Sequence, residues 1–235
     1  MAAGRASYAL VHSPLVGRGC WRGVERALRR EGVAARATDY GGVRGPDWYA
    51  GAAARIARQI EDFDGAWVLA LHSGAGALAP SVVDTAATPP VAVVFVDAIL
   101  PHPGRSWLET ATPALAERLR GLAENGLAPP WNCWFEPDPT VALIDDRDVR
   151  AEFLDELPRL PLCFLETPAP TLDLAVEVKA AHLRLSGAYA AEAAEARRRG
   201  WTVAAASMHH LAVVTHPDRV GRILTDLAEG LLADG

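Results

Sequence analysis

The sequence predicts an α/β fold: a mostly parallel central sheet flanked by helices, with a small helical cap over one edge. Two observations predict it. Near-continuous apolar runs, YALVH at 8–12, AWVLAL at 66–71 and VAVVFV at 91–96, alternate with segments of helical period. Strands apolar on both faces belong to a parallel sheet that helices cover on both sides. The stretch 100–170 breaks this rhythm, being rich in proline and tryptophan. It reads as an excursion from the sheet, so residues 1–99 and 171–235 are expected to form the core and 100–170 the cap. A chain of 235 residues is long enough to bury one full core.

Each element follows in order. The run at 8–12 is a buried strand that ends in the turn chemistry of Ser13, Pro14 and Gly17. A helix over 20–30 places Trp21, Val24 and Leu28 on one face, and Gly32 ends it. A second strand at 33–38 leads through a glycine-rich loop at 41–46 to a helix over 47–63. Trp48, Ala52, Ile56 and Ile60 form the buried stripe of that helix. The strand at 66–71 runs into His72-Ser73-Gly74-Ala75-Gly76 and a short helix to about 86. The run at 91–96 is the most strongly β-branched in the chain. Inside the cap, helices are expected at 112–125 and 147–157 and a strand at 162–165. The sheet resumes with a strand at 181–185, a helix at 189–199 and a strand at 202–206. Pro217 suits the first turn of a last helix over 217–232.

Composition narrows the function. Half the residues are hydrophobic and 22% are charged, the balance of a globular chain. A net charge of -6 argues against a nucleic-acid partner. No apolar run reaches the ~20 residues of a membrane span. Residues 1–7 lack the charged-then-apolar pattern of a secretory leader. Cys20, Cys133 and Cys163 are odd in number and far apart, so neither a disulfide framework nor a metal spacing is expected. Each is expected to be a small buried hydrophobe in a reducing cytoplasm. The adjacent pair His209-His210 has no helical i, i+4 partner or carboxylate cluster, so no metal is expected. No phosphate-cradling glycine fingerprint calls for a cofactor.

The chemistry concentrates in LALHSGAG, residues 69–76. A nucleophile on a tight strand-to-helix turn has its hydroxyl raised above the sheet edge, and the crowded backbone there wants small neighbours. Ser73 sits between an apolar strand and a helix, although Leu71 and Ala75 stand where glycine is usual. Ser73 reads either as that nucleophile or as a helix cap. A histidine on the loop after the last strand can swing over the same edge, which nominates His210 as base. His209 would then point toward the cap or solvent, there either to touch substrate or to do nothing.

The serine turn, the VHSPLVG segment at 11–17 and the tail from His210 to Pro217-Asp218 together resemble the α/β-hydrolase superfamily, in particular its small bacterial members. The resemblance covers nearly the whole chain. It implies a Ser…Asp/Glu…His order and acyl-enzyme chemistry on Ser73. It also implies that one oxyanion donor is the Gly74 N–H and that the other comes from the loop after the first strand. Pro14 has no N–H, so Leu15 or Val16 is the expected donor. In many relatives the acid follows the next-to-last strand, where this chain has Ser186-Gly187-Ala188-Tyr189. Asp97, at the end of VAVVFV, is the expected acid, by a variant placement known in the superfamily. The other reading is an aspartate that pins the cap loop near Arg105. Trp107, Trp131 and Trp134 either line an apolar acyl pocket or pack the cap.

The expected function is a serine hydrolase of an ester, thioester or lactone of a small apolar acid, with no cofactor. Two alternatives stay open. An internal nucleophile of the substrate would turn the acyl-enzyme into a cyclase or acyl transferase, and the scaffold would also serve a non-catalytic binding protein.

Overall fold

The computed structural model describes residues 5–43, 45–175 and 177–233. Residues 1–4, part of the segment read against a secretory leader, lie outside the described residues. The chain enters through β1 (Ser7–Val11), every residue of which is buried. A single 3-10 turn leads into α1 (Arg22–Arg30), followed by β2 (Ala35–Thr38) and α2 (Trp48–Gln59). Then come β3 (Trp67–His72), a 3-10 turn over Ser73–Leu78, α3 (Ala79–Thr85) and β4 (Ala92–Val96).

All pairings in the main sheet formed by these strands and the two that follow the cap are parallel, and β3 lies between β1 and β4. Period-two alternation divides the apolar runs between two layers. Tyr8, Leu10, Val68, Ala70, Val94 and Val96 face one layer, with Trp21 and Val24. Ala9, Val11, Leu69, Leu71, Val93 and Phe95 face the other, with Ile56 and Val82. Burying one such large side chain contributes roughly 1.5–3 kcal/mol, so both faces must stay covered. That is why the strands read as continuous apolar runs.

The cap lies between β4 and β7 (Ala180–Arg184). It contains α4 (Trp107–Thr110), α5 (Pro113–Leu122), β5 (Leu127–Ala128), α6 (Thr140–Leu143), α7 (Arg147–Asp155), β6 (Leu160–Pro161) and α8 (Leu162–Glu166). Ser106 and Glu109 cap α4 reciprocally, side chain to backbone in both directions. The strand expected at 162–165 is instead the helix α8. The pairing ends one residue earlier, where Leu160 and Pro161 meet Ala128 and Leu127 antiparallel. Proline brings no further ladder donor. A helical turn then buries Leu165 and leaves Cys163 exposed. A second expectation also fails. Cys20 is buried, but Cys133 and Cys163 are exposed, on cap turns whose inward side chains are Trp134 and Leu165.

After β7, a 3-10 turn over Gly187–Tyr189 opens α9 (Ala190–Arg198), followed by β8 (Thr202–Ala205), α10 (Ala212–Thr215) and α11 (Pro217–Ala233). The six strands of the main sheet lie in the order β2-β1-β3-β4-β7-β8. Because they are parallel, the loops after β1, β3, β4, β7 and β8 all emerge at one edge. Crevices outside the carboxyl ends of strands are where such sheets bind ligands. Among the described residues, no helix is long and apolar enough to cross a membrane.

Candidate active site

Ser73 follows β3 directly, at φ 57°. That left-handed backbone costs a non-glycine residue about 1–3 kcal/mol, so packing must hold it. A methyl on Gly76 would stand 1.8 Å from the carbonyl oxygen of Ile99, and one on Gly74 would stand 3.0 Å from Ser13 Oγ. The Ile99 N–H donates to the Ser73 carbonyl at 3.1 Å. The turn is thus bedded between the loop after β1 and the backbone after β4. Glycine is required at 76, one position beyond where a G-x-S-x-G pattern seeks it.

Asp97 ends the neighbouring strand β4, also in left-handed backbone, at φ 42°, and is completely buried. Its Oδ1 accepts from the Leu185 N–H at 2.8 Å and the Ser186 N–H at 2.9 Å. Its Oδ2 accepts from the Ser186 hydroxyl at 2.6 Å and from His210 Nδ1 at 2.9 Å. Burial pushes this carboxyl's pKa up. The hydrogen bond and charge of His210 and the donors of Ser186 overcome that, and the value falls to about 2. No hydrogen bond or ion pair joins Asp97 to Arg105 among the described residues. The loop after β7, which lacks an acid, supplies the donors that hold one.

His210 lies on the loop after β8. Its ring is stacked between His72, at 4.6 Å between centroids, and Tyr189, at 5.0 Å. With Asp97 accepting from Nδ1–H, the neutral imidazole carries its lone pair on Nε2. His72 Nε2–H donates to the His210 carbonyl at 3.0 Å. Burial, helped by the adjacent His210, pushes the His72 pKa down to about 3. His72 therefore stays neutral beside the His210 imidazole.

Ser73 Oγ lies 3.1 Å from the Tyr189 hydroxyl. Among the described residues no hydrogen bond joins it to His210. Burial raises the Tyr189 pKa far above that of an ordinary phenol, outweighing the lowering effect of Ser73. Tyr189 accordingly keeps its hydroxyl proton, and either oxygen of the pair can donate to the other.

In the loop after β1, His12 Nδ1–H donates to the Ser13 carbonyl at 2.8 Å, and its ring stacks on Tyr40. Leu15, the expected second oxyanion donor, already gives its N–H to Ser13 Oγ at 3.2 Å. Val16 gives its own to the Ser13 carbonyl at 3.1 Å. Pro14 turns the chain so tightly that the next two amides fold back on Ser13.

The remaining sequence candidates separate. Trp107 and Trp134 pack edge to face at 5.7 Å. Trp134 is 2% exposed and donates its indole N–H to the Pro129 carbonyl, so it belongs to the cap's interior. Of the three, only Trp131 lies near His210, 6.5 Å from its ring. His209 turns away and engages Thr215 Oγ1 through Nε2 at 3.1 Å. A cavity of about 370 Å³ lies between the β1 loop, the start of α2 and the cap, and is walled by Pro14, Val16, Tyr40, Trp48 and Phe164. None of the three tryptophans named from the sequence lines it.

Tyr189, Ser186 and His72 were not singled out from the sequence. The available signals are that two of them lie in the acid-free loop after β7 and that the third precedes Ser73. Among the described residues, no group of three or more His, Cys, Asp or Glu side chains could hold a metal ion.

No family model matches this chain, and no curated protein does. Solved structures do. An extracellular α/β-hydrolase from a Paenibacillus species, described as sharing structural and functional homology with tobacco salicylic acid binding protein 2, superimposes with a TM-score of 0.73 at 18% identity, over 94% of this chain and 98% of that one. Tomato methylketone synthase I complexed with 2-tridecanone gives 0.74 at 15% identity, over 97% and 100%. Polyneuridine aldehyde esterase gives 0.74 at 15% identity, over 96% and 100%. The chain has the α/β-hydrolase fold.

Proposed function

We propose that this chain is a serine hydrolase that forms an acyl-enzyme on Ser73 from an ester, thioester or lactone of a small apolar acid. The observation that carries this reading is the hydrogen bond from His210 Nδ1 to the buried Asp97, on the sheet edge where Ser73 is held at φ 57°. Asp97 fixes the tautomer that leaves Nε2 free to take the Ser73 proton as Oγ attacks the carbonyl carbon. The imidazolium then gives that proton to the leaving group. Water repeats the sequence on the acyl-enzyme, and Asp97 stays ionised throughout. The Gly74 N–H, at the start of the turn, supplies one hydrogen bond to the oxyanion. We assign the acyl group to the cavity beside Pro14, whose ring also packs against Gly74. Trp131, 6.5 Å from the His210 ring, lies outside the lining of that cavity.

Ser73 is 6% exposed, which favours a second outcome from the same intermediate. Where the pocket is dry, an internal nucleophile of the acyl group would displace Ser73 and leave a cyclised product. Labelling with a fluorophosphonate, then turnover of chromogenic esters of graded acyl length with products weighed by mass spectrometry, tests both. Ser73→Ala should abolish labelling and lower turnover by roughly a thousandfold or more. A wild-type protein that neither labels nor turns over any ester, yet binds the acyl compounds, would be a binding protein instead.

A further inference from the structure

We propose that the Tyr189 hydroxyl is the second hydrogen-bond donor to the oxyanion on Ser73, in place of a backbone N–H from the loop after β1. The inference rests on the acyl-enzyme reading of Ser73. Acyl transfer moves a pair of electrons onto the carbonyl oxygen, and two donors aimed at that oxygen are the usual way to hold it. Gly74 offers one. In the loop after β1, Pro14 has no N–H, and the N–H groups of Leu15 and Val16 both turn back to Ser13. The Tyr189 hydroxyl is 3.1 Å from Ser73 Oγ. In the tetrahedral adduct the oxyanion is only two covalent bonds from that same Oγ, so a small rotation of the hydroxyl re-aims its proton.

Tyr189 is also held in place. It closes the 3-10 turn Gly187–Tyr189 after β7, and its ring stacks on His210 with the planes 14° apart. Burial keeps the phenol protonated. No proton leaves it during the reaction. The Ser73 proton goes to His210, the Oγ–C bond forms, the carbonyl pair moves to oxygen, and Tyr189 only donates a hydrogen bond. When the adduct collapses, that pair returns and the leaving group takes the proton from His210.

The test compares wild type, Tyr189→Phe, and Tyr189→Phe combined with Pro14→Ala, on p-nitrophenyl acetate and its thiono counterpart, with fluorophosphonate labelling alongside. Phenylalanine keeps the stack on His210 and removes only the donor. Tyr189→Phe should lower kcat by ~10²–10³ with KM within about threefold, the scale for losing one oxyanion donor. The preference for the oxygen ester over the thiono ester should shrink, because sulfur accepts hydrogen bonds poorly. Pro14→Ala returns an N–H to the loop and should recover at least about tenfold of the loss. A kcat within about threefold of wild type would overturn the assignment. So would an equal loss on both esters, which would make Tyr189 a positioning residue for Ser73. Absence of labelling at Ser73 in the wild type would instead remove the acyl-enzyme reading itself, and the donor role with it.

Discussion

Asp97 and His210, 113 residues apart in sequence, meet through a 2.9 Å hydrogen bond at the carboxyl edge of the sheet. The carboxylate takes three more hydrogen bonds, all from Leu185 and Ser186 at the end of β7. It is therefore fixed from one side by the next strand, and its remaining direction points at the imidazole. An acid held in this way orients His210 without moving itself.

Asp97→Asn should lower turnover by about a thousandfold or more, because an amide cannot keep His210 in the tautomer that bares Nε2. It should also lower the melting temperature, since an Asn NH₂ group would face the Ser186 donors or the His210 N–H. Steady-state kinetics and thermal melting of one sample separate the two effects. Unchanged turnover per folded molecule would remove Asp97 from the triad.

The same contacts make stability depend on acid. The Asp97 pKa falls from an ordinary 3.8 to about 2 on folding. A carboxyl depressed in the folded state stabilises the protein above its unfolded pKa, and that contribution fades as pH drops from about 4 toward 2. The shift corresponds to about 2 kcal/mol. Urea melts of wild type and Asp97→Asn should therefore differ more at pH 7 than at pH 3. A gap that does not narrow on acidification would show that the charge of Asp97 contributes nothing to the fold.

Gly76→Ala should be among the most damaging single-methyl changes in the chain. The added Cβ would stand 1.8 Å from the Ile99 carbonyl oxygen, a backbone atom that cannot rotate away. Separating the nucleophile turn from the backbone after β4 would cost about 3 kcal/mol or more. It should also reduce labelling of Ser73, whose carbonyl accepts the Ile99 N–H. A Gly76→Ala protein that melts within a few degrees of wild type would mean the turn is softer than this packing implies.

Much of this site could be read from the sequence because its parts end apolar runs. Ser73, Asp97 and His210 each follow a strand, and strands of a parallel sheet deliver their ends to one edge. Asp97 is legible as a candidate acid because it ends VAVVFV while Ser186-Gly187-Ala188-Tyr189 contains no carboxylate. The same tetrapeptide hid two further residues. Ser186 matters because Asp97 sits one strand away, and Tyr189 because a 3-10 turn folds its ring onto His210; neither fact has a local sequence signal. Leu15 failed as a free donor for a related reason: the turn that Pro14 forces directs the following amides inward. The tryptophans show the limit of composition. Trp107, Trp131 and Trp134 all lie in the cap, yet only Trp131 approaches His210. In the cap, the short strand and α8 divide at Pro161, a boundary that the apolar pattern of LPLCFLE does not mark.

The paired histidines offer the most direct test of register. Consecutive side chains on a short loop diverge, and here they do. His210 faces Asp97 and stacks between His72 and Tyr189, whereas His209 engages Thr215 Oγ1 and meets the His216 ring edge on at 5.7 Å. His210→Ala removes the proposed base and the partner of Asp97 together. It should behave like Ser73→Ala, with turnover reduced by roughly a thousandfold or more and acylation by fluorophosphonate slowed in parallel. His209→Ala removes a hydrogen bond at the start of the closing helices, so it should cost about 1 kcal/mol of stability and leave acylation within about threefold. Acylation rates and melting temperatures of both variants decide the matter. Equal loss of acylation from both would mean that His209 reaches the reacting atoms by a movement of the loop. A large loss from His209→Ala alone would assign the base to the wrong member of the pair.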